Sequence, residues 1–509
     1  MNPRLWILFV LVPVSLLSAQ TSLEAIDLDQ GPYAVGFQHY TATDSTRSYR
    51  IHNAFNKQQI KRPIPISMWY PATPTPTAET LTVLDYLEVL KAEEEWEHLP
   101  NYFLLDWFPY LWNTPENQAH LSEQVQAYSS TTPLAGPFPV IVYAPSYQDS
   151  SIENFALFEY LASQGFVVLS SPSRGTETRW LSGGTTKDME TQARDVEFLL
   201  KELHRFPQIN PNRIALMGFS FGGLANALTV MRNPGISALL SLDGTERYNY
   251  PVLAASSYFD LERLDIPYAH LAQKVIPEDV LKSDKIPAEL NTEFPLYDSL
   301  TQSSVYRYRF HDLTHSYFSS FGVLFANRDP RQDKSEAEIM ASYKLLAEHS
   351  LQFLKATLEQ DAAAIRFLEN SPSQNNIPEQ LLSKSLKKPQ GADFDYRDFN
   401  DLAVGQDYKG LIPLYQQVIA KHPELHLEEG MLNTLGLHLS FDPQRGEQGL
   451  RVFALALYLY PESANLYDSL AEAHFYQNNM EEAILNFEKS LALNPNNQNA
   501  INRLRALRN

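Results

Sequence analysis

The sequence predicts an α/β domain, a mostly parallel sheet covered by helices on both faces, followed by a C-terminal all-α repeat domain. Three observations carry this. Between residues 138 and 310, short apolar runs alternate with stretches of helical periodicity. A serine flanked by glycines stands between one such run and the helix after it. Within residues 396–509, a set of positions recurs at a spacing of 34 residues.

The composition sets the bounds. A chain of 509 residues suits two or three domains. Hydrophobic residues at 44% and charged residues at 20% exclude a mainly disordered chain. Cysteine is absent, which excludes disulfide frameworks, thiolate nucleophiles and cysteine-ligated zinc or iron–sulfur sites. A net charge of −20 excludes a basic nucleic-acid footprint and disfavours an anionic membrane surface.

Residues 1–19 predict a secretory signal peptide. Arg4 is the positive flank, Leu5–Leu17 is an apolar run of 13 residues, and small Ser18 and Ala19 precede the cleavage point. The run is short of the ~20 residues that span a bilayer, so an uncleaved anchor is the weaker reading. The expectation is a secreted or periplasmic protein with no transmembrane segment after signal removal.

Residues 30–75 read as strands around a polar stretch, ending in Pro71, Pro74 and Pro76. Residues 78–130 combine helical periodicity with dense aromatics, among them Trp96, Tyr102, Phe103, Trp107, Tyr110 and Trp112. They read either as a lid-like helical insertion or as a packed helical hairpin. Pro139–Tyr143 and Phe166–Ser170 are apolar runs suited to buried parallel strands, with an amphipathic helix over Ile152–Ser163 between them. Thr185–His204 has Met189, Ala193, Val196 and Leu200 at helical spacing. Arg213–Met217 is a third strand, Leu224–Met231 a helix and Ile236–Leu242 a fourth strand. Ile266–Leu271 and Ser304–Phe310 complete the series, and Ser335–Leu358 is a long closing helix. The α/β part therefore runs over residues 20–358. Polar residues 359–395 read as a linker. In 396–509, Phe453, Ala456 and Pro461 recur as Phe487, Ser490 and Pro495, which resembles a tetratricopeptide repeat. Each helix pair in such an array buries its apolar face on the next, so the region predicts a protein partner or self-association.

Gly218-Phe219-Ser220-Phe221-Gly222 lies between the third strand and its helix. A sharp strand-to-helix turn holds its central residue in a strained conformation, lifts the hydroxyl above the sheet edge and crowds the positions two residues away, which must be small. A serine hydroxyl needs a histidine base, and that histidine needs a carboxylate to fix its tautomer. These partners belong at the ends of later strands. Asp243 ends the fourth strand and His315 follows the last. Rivals are Glu278 and Asp279 for the acid, and His311 and His270 for the base; His39 and His204 read as packing or surface residues. Acyl transfer also needs two backbone N–H groups facing the developing oxyanion. Phe221 supplies one, and Tyr147, in the loop APSYQDS after the first central strand, the other. No metal-ligand spacing or nucleotide-binding glycine motif is present, so no cofactor and no metal are expected.

Residues 30–345 resemble the α/β-hydrolase superfamily and, within it, the plasma-type platelet-activating-factor acetylhydrolases. The matching pieces are GPYAVG, MWYPA, PVIVYAPSYQ, LASQGFVVLSSPSRG, GFSFGG, LSLDG and THSYF. The dienelactone hydrolases are similar too, but use cysteine. The acetylhydrolase pattern implies that an aspartate 23 residues after the nucleophile completes the triad, which favours Asp243 over Asp279. Where that family has His-Gly, this chain reads Pro145-Ser146. The expected function is a serine hydrolase of carboxylic esters, with apolar acyl or aryl esters and short-acyl phospholipids as small-molecule substrates. The alternatives are a degenerate, non-catalytic scaffold and a peptidase or acyltransferase on the same fold.

Overall fold

The computed structural model describes residues 21–51, 57–108, 111–129, 131–325, 329, 331–389, 394–423 and 425–508. The expected signal peptide, residues 1–19, and Tyr110 lie outside the described residues. The chain divides into two compact units, Met1–Gln390 and Gly391–Asn509.

Among the described residues, the first unit is built on one sheet of twelve strands. They are β1 (Ala34–Tyr49), β2 (Ile60–Thr73), β3 (Thr80–Thr82), β4 (Gln124–Ser129), β5 (Thr132–Pro133), β6 (Phe138–Ala144), β7 (Val167–Ser170), β8 (Ile209–Phe219), β9 (Ala238–Leu242), β10 (Tyr268–Ala272), β11 (Val305–Phe310) and β12 (Leu382–Lys387). Their order is β12-β11-β10-β9-β8-β6-β7-β2-β1-β4-β3, with β5 beside β2. β6 to β11 pair in parallel, while β2 is antiparallel to both β1 and β7. The eight central strands β1, β2 and β6–β11 thus run in the spatial order 1-2-4-3-5-6-7-8.

Alternation within the strands explains the two-sided core. Val140, Val142, Leu216 and Leu239 face the helices Thr186–Glu202 and Phe221–Arg232. Their neighbours Ile141, Tyr143, Ala215, Met217 and Leu240 face the helices Phe155–Ser163 and Glu336–Leu354. Both faces of a parallel sheet need cover, so these strands read as continuous apolar runs. Capping boxes start two of the helices, Thr185 with Asp188 and Ser335 with Glu338.

Three expectations need correcting. The helix expected to be amphipathic over 152–163 is Phe155–Ser163, and all of its residues are buried. The sheet covers one side, and Tyr343 of the helix Glu336–Leu354 hydrogen-bonds Asn154 at its start. The stretch 78–130, read as a lid-like helical insertion or a packed helical hairpin, is not helical alone: it contains β3 and β4. β4 pairs in parallel with β1, and Trp69 Nε1 donates to the Tyr86 hydroxyl at 2.7 Å, which donates to Glu159 at 2.7 Å. Glu159 also accepts the Ala127 N–H at 3.0 Å, stitching both ends of the stretch into the core. Among the described residues, only its middle exposes aromatics, at Trp96, Tyr102, Phe103 and Trp112. Finally, residues 359–390 are not linker. They hold the helix Ala362–Glu369 and the edge strand β12, antiparallel to β11. Strand β12 is polar because only its backbone and Leu382 are needed for pairing and burial. Lys384 Nζ donates to the carbonyls of Leu368, Glu369 and Asn370, at the negative end of that helix.

The second unit contains seven helices among the described residues, from Tyr396–Gly405 to Gln498–Arg508. The 34-residue offset puts Phe453 and Phe487 at matching, fully buried positions of the helices Gly446–Leu459 and Met480–Leu493. Ala456 and Ser490 match likewise, and the Ser490 hydroxyl donates to the Ala464 carbonyl at 2.7 Å. Among the described residues, no helix of either unit is long and apolar enough to cross a membrane.

Candidate active site

Strand β8 turns into the helix Phe221–Arg232 at Ser220, whose backbone adopts φ 52° and ψ −119°. An L-residue holds such a conformation only where its surroundings over-determine it. Here the Ser220 N–H donates to the Leu242 carbonyl at 3.2 Å, and the Ser220 carbonyl accepts the Thr245 N–H at 2.8 Å. The flanking glycines are steric requirements. A Cβ on Gly218 would lie 2.5 Å from the Gly222 carbonyl carbon, and one on Gly222 would strike the Ala144 carbonyl.

Asp243 follows β9 and is wholly buried. His315 opens the short helix His315–Phe318 after β11, with its side chain 31% exposed. The structure brings the three residues together. His315 Nδ1 is 2.6 Å from Asp243 Oδ2, and His315 Nε2 is 3.0 Å from Ser220 Oγ. A carboxylate only accepts, so Nδ1 carries the proton and Nε2 is left to accept from the serine hydroxyl. Phe219 stacks on the imidazole with ring centroids 4.9 Å apart, limiting its rotation.

Burial raises the pKa of Asp243, but the hydrogen bond from His315 and the positive charge of Arg247 outweigh it and hold the carboxyl below its ordinary value. Gln273 adds two donors, its backbone N–H at 3.0 Å from Oδ1 and its side-chain amide at 2.9 Å from Oδ2. The amide also reaches the Tyr248 hydroxyl at 2.8 Å. Gln273 follows β10, on the same rim of the sheet. The sequence offers Glu278 and Asp279 from that neighbourhood as the acid, whereas the residue directly after the strand, Gln273, supports Asp243 instead. The signal was its place directly after a buried strand.

The rivals lie elsewhere. Glu278 and Asp279 are exposed in the first turn of the helix Glu278–Asp284. His270 is buried against Glu246 and Tyr268, at 3.0 and 2.9 Å. His311 is half-buried, its backbone N–H bonded to the Leu381 carbonyl. His39 bonds Ser67 at 3.0 Å, and His204 is exposed.

Phe221 is the first residue of its helix, so its N–H has no acceptor within that helix. Tyr147 lies in the loop after β6, its ring edge-to-face with Phe221 at 5.7 Å and its hydroxyl accepting the Gly183 N–H at 2.9 Å. A cavity of about 590 Å³ opens over Ser220 and His315. Phe108, Leu111, Phe219, Ile276, Ile286 and Phe321 give it an apolar wall. Arg331 also lines it, paired with Asp284 and Asp329 at 3.2 Å each. Two further acids, Asp149 and Glu153, stand at the cavity beside Tyr147 and were not singled out from sequence. Among the described residues, no three His, Asp or Glu side chains gather as metal ligands.

Residues 153–241 match the model of the prolyl oligopeptidase family. The match runs from the helix Phe155–Ser163 through the serine turn to β9. A solved structure of a ferulic acid esterase from Streptomyces cinnamoneus is similar, with 16% identity, a TM-score of 0.49, and coverage of 70% of this chain and 97% of that one. No curated protein matches. The strand order, the serine turn after the fifth central strand and the matched family segment agree: the first unit has the α/β-hydrolase fold, and its site is of the serine-hydrolase type.

Proposed function

We propose that this protein is an exported serine hydrolase of carboxylic esters, with Ser220 as nucleophile, His315 as base and Asp243 as the acid that orients it. One observation carries the reading: a strained serine whose hydroxyl lies 3.0 Å from an imidazole that is itself anchored at 2.6 Å to a buried carboxylate.

Ser220 Oγ attacks the ester carbonyl carbon while its proton passes to His315 Nε2. The carbonyl π pair moves onto oxygen, facing the N–H groups of Phe221 and Tyr147. Asp243, kept ionised, stabilises the imidazolium without taking its proton. The C–O bond to the leaving group then breaks, and Nε2 returns the proton to the departing alkoxide, which leaves as an alcohol. Water enters, loses a proton to Nε2, and attacks the acyl-enzyme. Collapse releases the carboxylic acid and restores Ser220. No cofactor takes part.

The apolar wall around Phe108, Leu111 and Phe321 supports small apolar acyl or aryl esters, short-acyl phospholipids included, in keeping with the resemblance to platelet-activating-factor acetylhydrolases. The apolar run of residues 5–17 supports export. The 34-residue spacing of Phe453 and Phe487 supports tetratricopeptide-like packing, and with it a protein partner or self-association. Turnover of small p-nitrophenyl esters tests the chemistry. Ser220→Ala abolishes it, and undiminished turnover by that variant contradicts the mechanism.

A peptidase reading draws on the prolyl oligopeptidase match over 153–241. Peptide p-nitroanilides separate the two: esters cleaved far faster than anilides support the esterase.

A further inference from the structure

We propose that Glu153 is a positioning residue of the oxyanion loop: together with Asp149 it clamps Ser146, so that the adjoining Tyr147 N–H faces the developing oxyanion. This rests on the hydrolase reading above and deepens it, since nothing in that mechanism uses either acid.

Glu153 is buried, Asp149 is half-buried, and both line the catalytic cavity. Glu153 Oε2 accepts the Ser146 N–H at 3.0 Å and the Tyr143 hydroxyl at 3.0 Å, while its Oε1 accepts the Ser146 hydroxyl. Asp149 Oδ1 accepts the Ser150 N–H at 2.7 Å, and Oδ2 lies 3.4 Å from Ser146 Oγ. Every one of these bonds falls on Ser146, on the residues just after Tyr147, or on β6 beneath them. A loop whose peptide planes are fixed in this way meets the transition state without reorganising.

Among the described residues, the charged groups around the pair offer it no counter-ion of its own; Arg331, at the same cavity, is paired with Asp284 and Asp329. Tyr143 on β6 is pushed well up by burial and stays protonated. Glu93, on the helix Val83–Glu93, sits behind the loop and accepts from Ser150 and Ser151. Arg174 donates to the backbone carbonyl of that same Glu93. His315 stands across the cavity. Two acids that meet at one serine hydroxyl, one of them buried, favour holding a proton between them. Burial raises both, Asp149 to about 6, and the Asp149 charge raises Glu153 further.

The sign follows. A carboxyl raised in the folded state favours that state while protonated and loses the advantage as pH rises through its folded value. Alkaline pH therefore sets two carboxylates against each other and loosens Ser146. Activity therefore falls on the alkaline side once the pair ionises.

The experiment measures kcat and KM for a small p-nitrophenyl ester from about pH 6 to about pH 9. Glu153→Gln keeps a neutral hydrogen-bonding group. We expect kcat within about threefold of the parent at neutral pH and no alkaline fall. Glu153→Leu lowers kcat about a hundredfold at an unchanged KM, the size of losing one oxyanion donor. Ser146→Ala, which deletes one bond of the clamp and no bulk, lowers kcat about tenfold at an unchanged KM and decides the matter if the leucine variant does not fold. An alkaline limb in Glu153→Gln identical to the parent's, or an unchanged kcat in Ser146→Ala, overturns the proposal. Fluorophosphonate labelling of Ser220 in the same variants separates the two claims. Labelling with unchanged kcat defeats the clamp alone, whereas full turnover by Ser220→Ala defeats both.

Discussion

The catalytic cavity has two unlike walls. One is the rim of the sheet, where β8, β9, β10 and β11 end in Ser220, Asp243, Gln273 and the segment leading to His315. Its groups are hydrogen-bonded at each step, and its acid is wholly buried. The other is apolar and, Phe219 of β8 apart, comes from outside the central strands: Phe108 from the 78–130 stretch packs edge-to-face on Phe321 at 4.8 Å, with Leu111 beside them. The first wall fixes the chemistry. The second fixes what fits against it. Chemistry demands sub-ångström placement, and parallel strands buried on both faces supply it; shape selection demands only volume and an apolar surface.

Changes on the two walls should therefore differ in kind as well as size. The largest effect is expected at Asp243. Asp243→Asn leaves the geometry but favours the wrong imidazole tautomer, and kcat falls about 10³–10⁴-fold with KM little changed. A comparable loss in KM instead would place Asp243 on the substrate side and erase the contrast. Next is chain length. A protein ending at residue 358 loses the helix Ala362–Glu369 and β12, which exposes the edge of β11, and is expected to be insoluble. One ending at residue 390 keeps the whole sheet and should be soluble and active. Equal behaviour of the two would return 359–390 to the status of a linker. A smaller effect belongs to the apolar wall. Phe108→Ala with Leu111→Ala raises KM for longer acyl or aryl esters about tenfold, leaves kcat for acetyl esters within about twofold, and so shifts chain-length preference without touching the rim. The smallest concerns the second unit. Phe487→Ala empties a fully buried site there at a cost of about 3–5 kcal/mol, seen as a separate low-temperature unfolding transition, with esterase kcat unchanged.

The same contrast explains what the sequence disclosed. β6 to β11 were legible because strands covered on both faces are short apolar runs between turns. The relation of Ser220, Asp243 and His315 was legible because strand ends on one rim of a parallel sheet converge, however far apart they lie in the chain. β12 was hidden, because LSKSLK contributes backbone pairing and little apolar surface. β4 was hidden inside an aromatic stretch whose helical periodicity dominated. Gln273, Asp149 and Glu153 were hidden for another reason. A polar residue after a strand is ordinary in a loop, and only its buried partners show that it serves the site. The unbroken burial of Phe155–Ser163, with Glu159 inside it, could be read only once the stretch over it was seen to join the core.

The account stands on proton transfer from Ser220 to an imidazole held by Asp243. The most direct measurement is fluorophosphonate modification followed by peptide mass mapping, run in parallel on the parent protein and on His315→Ala. The account predicts a single adduct on Ser220 in the parent, loss of ester turnover in step with its formation, and labelling slowed at least about 10³-fold in the variant. Ester turnover that persists without an adduct on Ser220, or labelling that does not depend on His315, would contradict it.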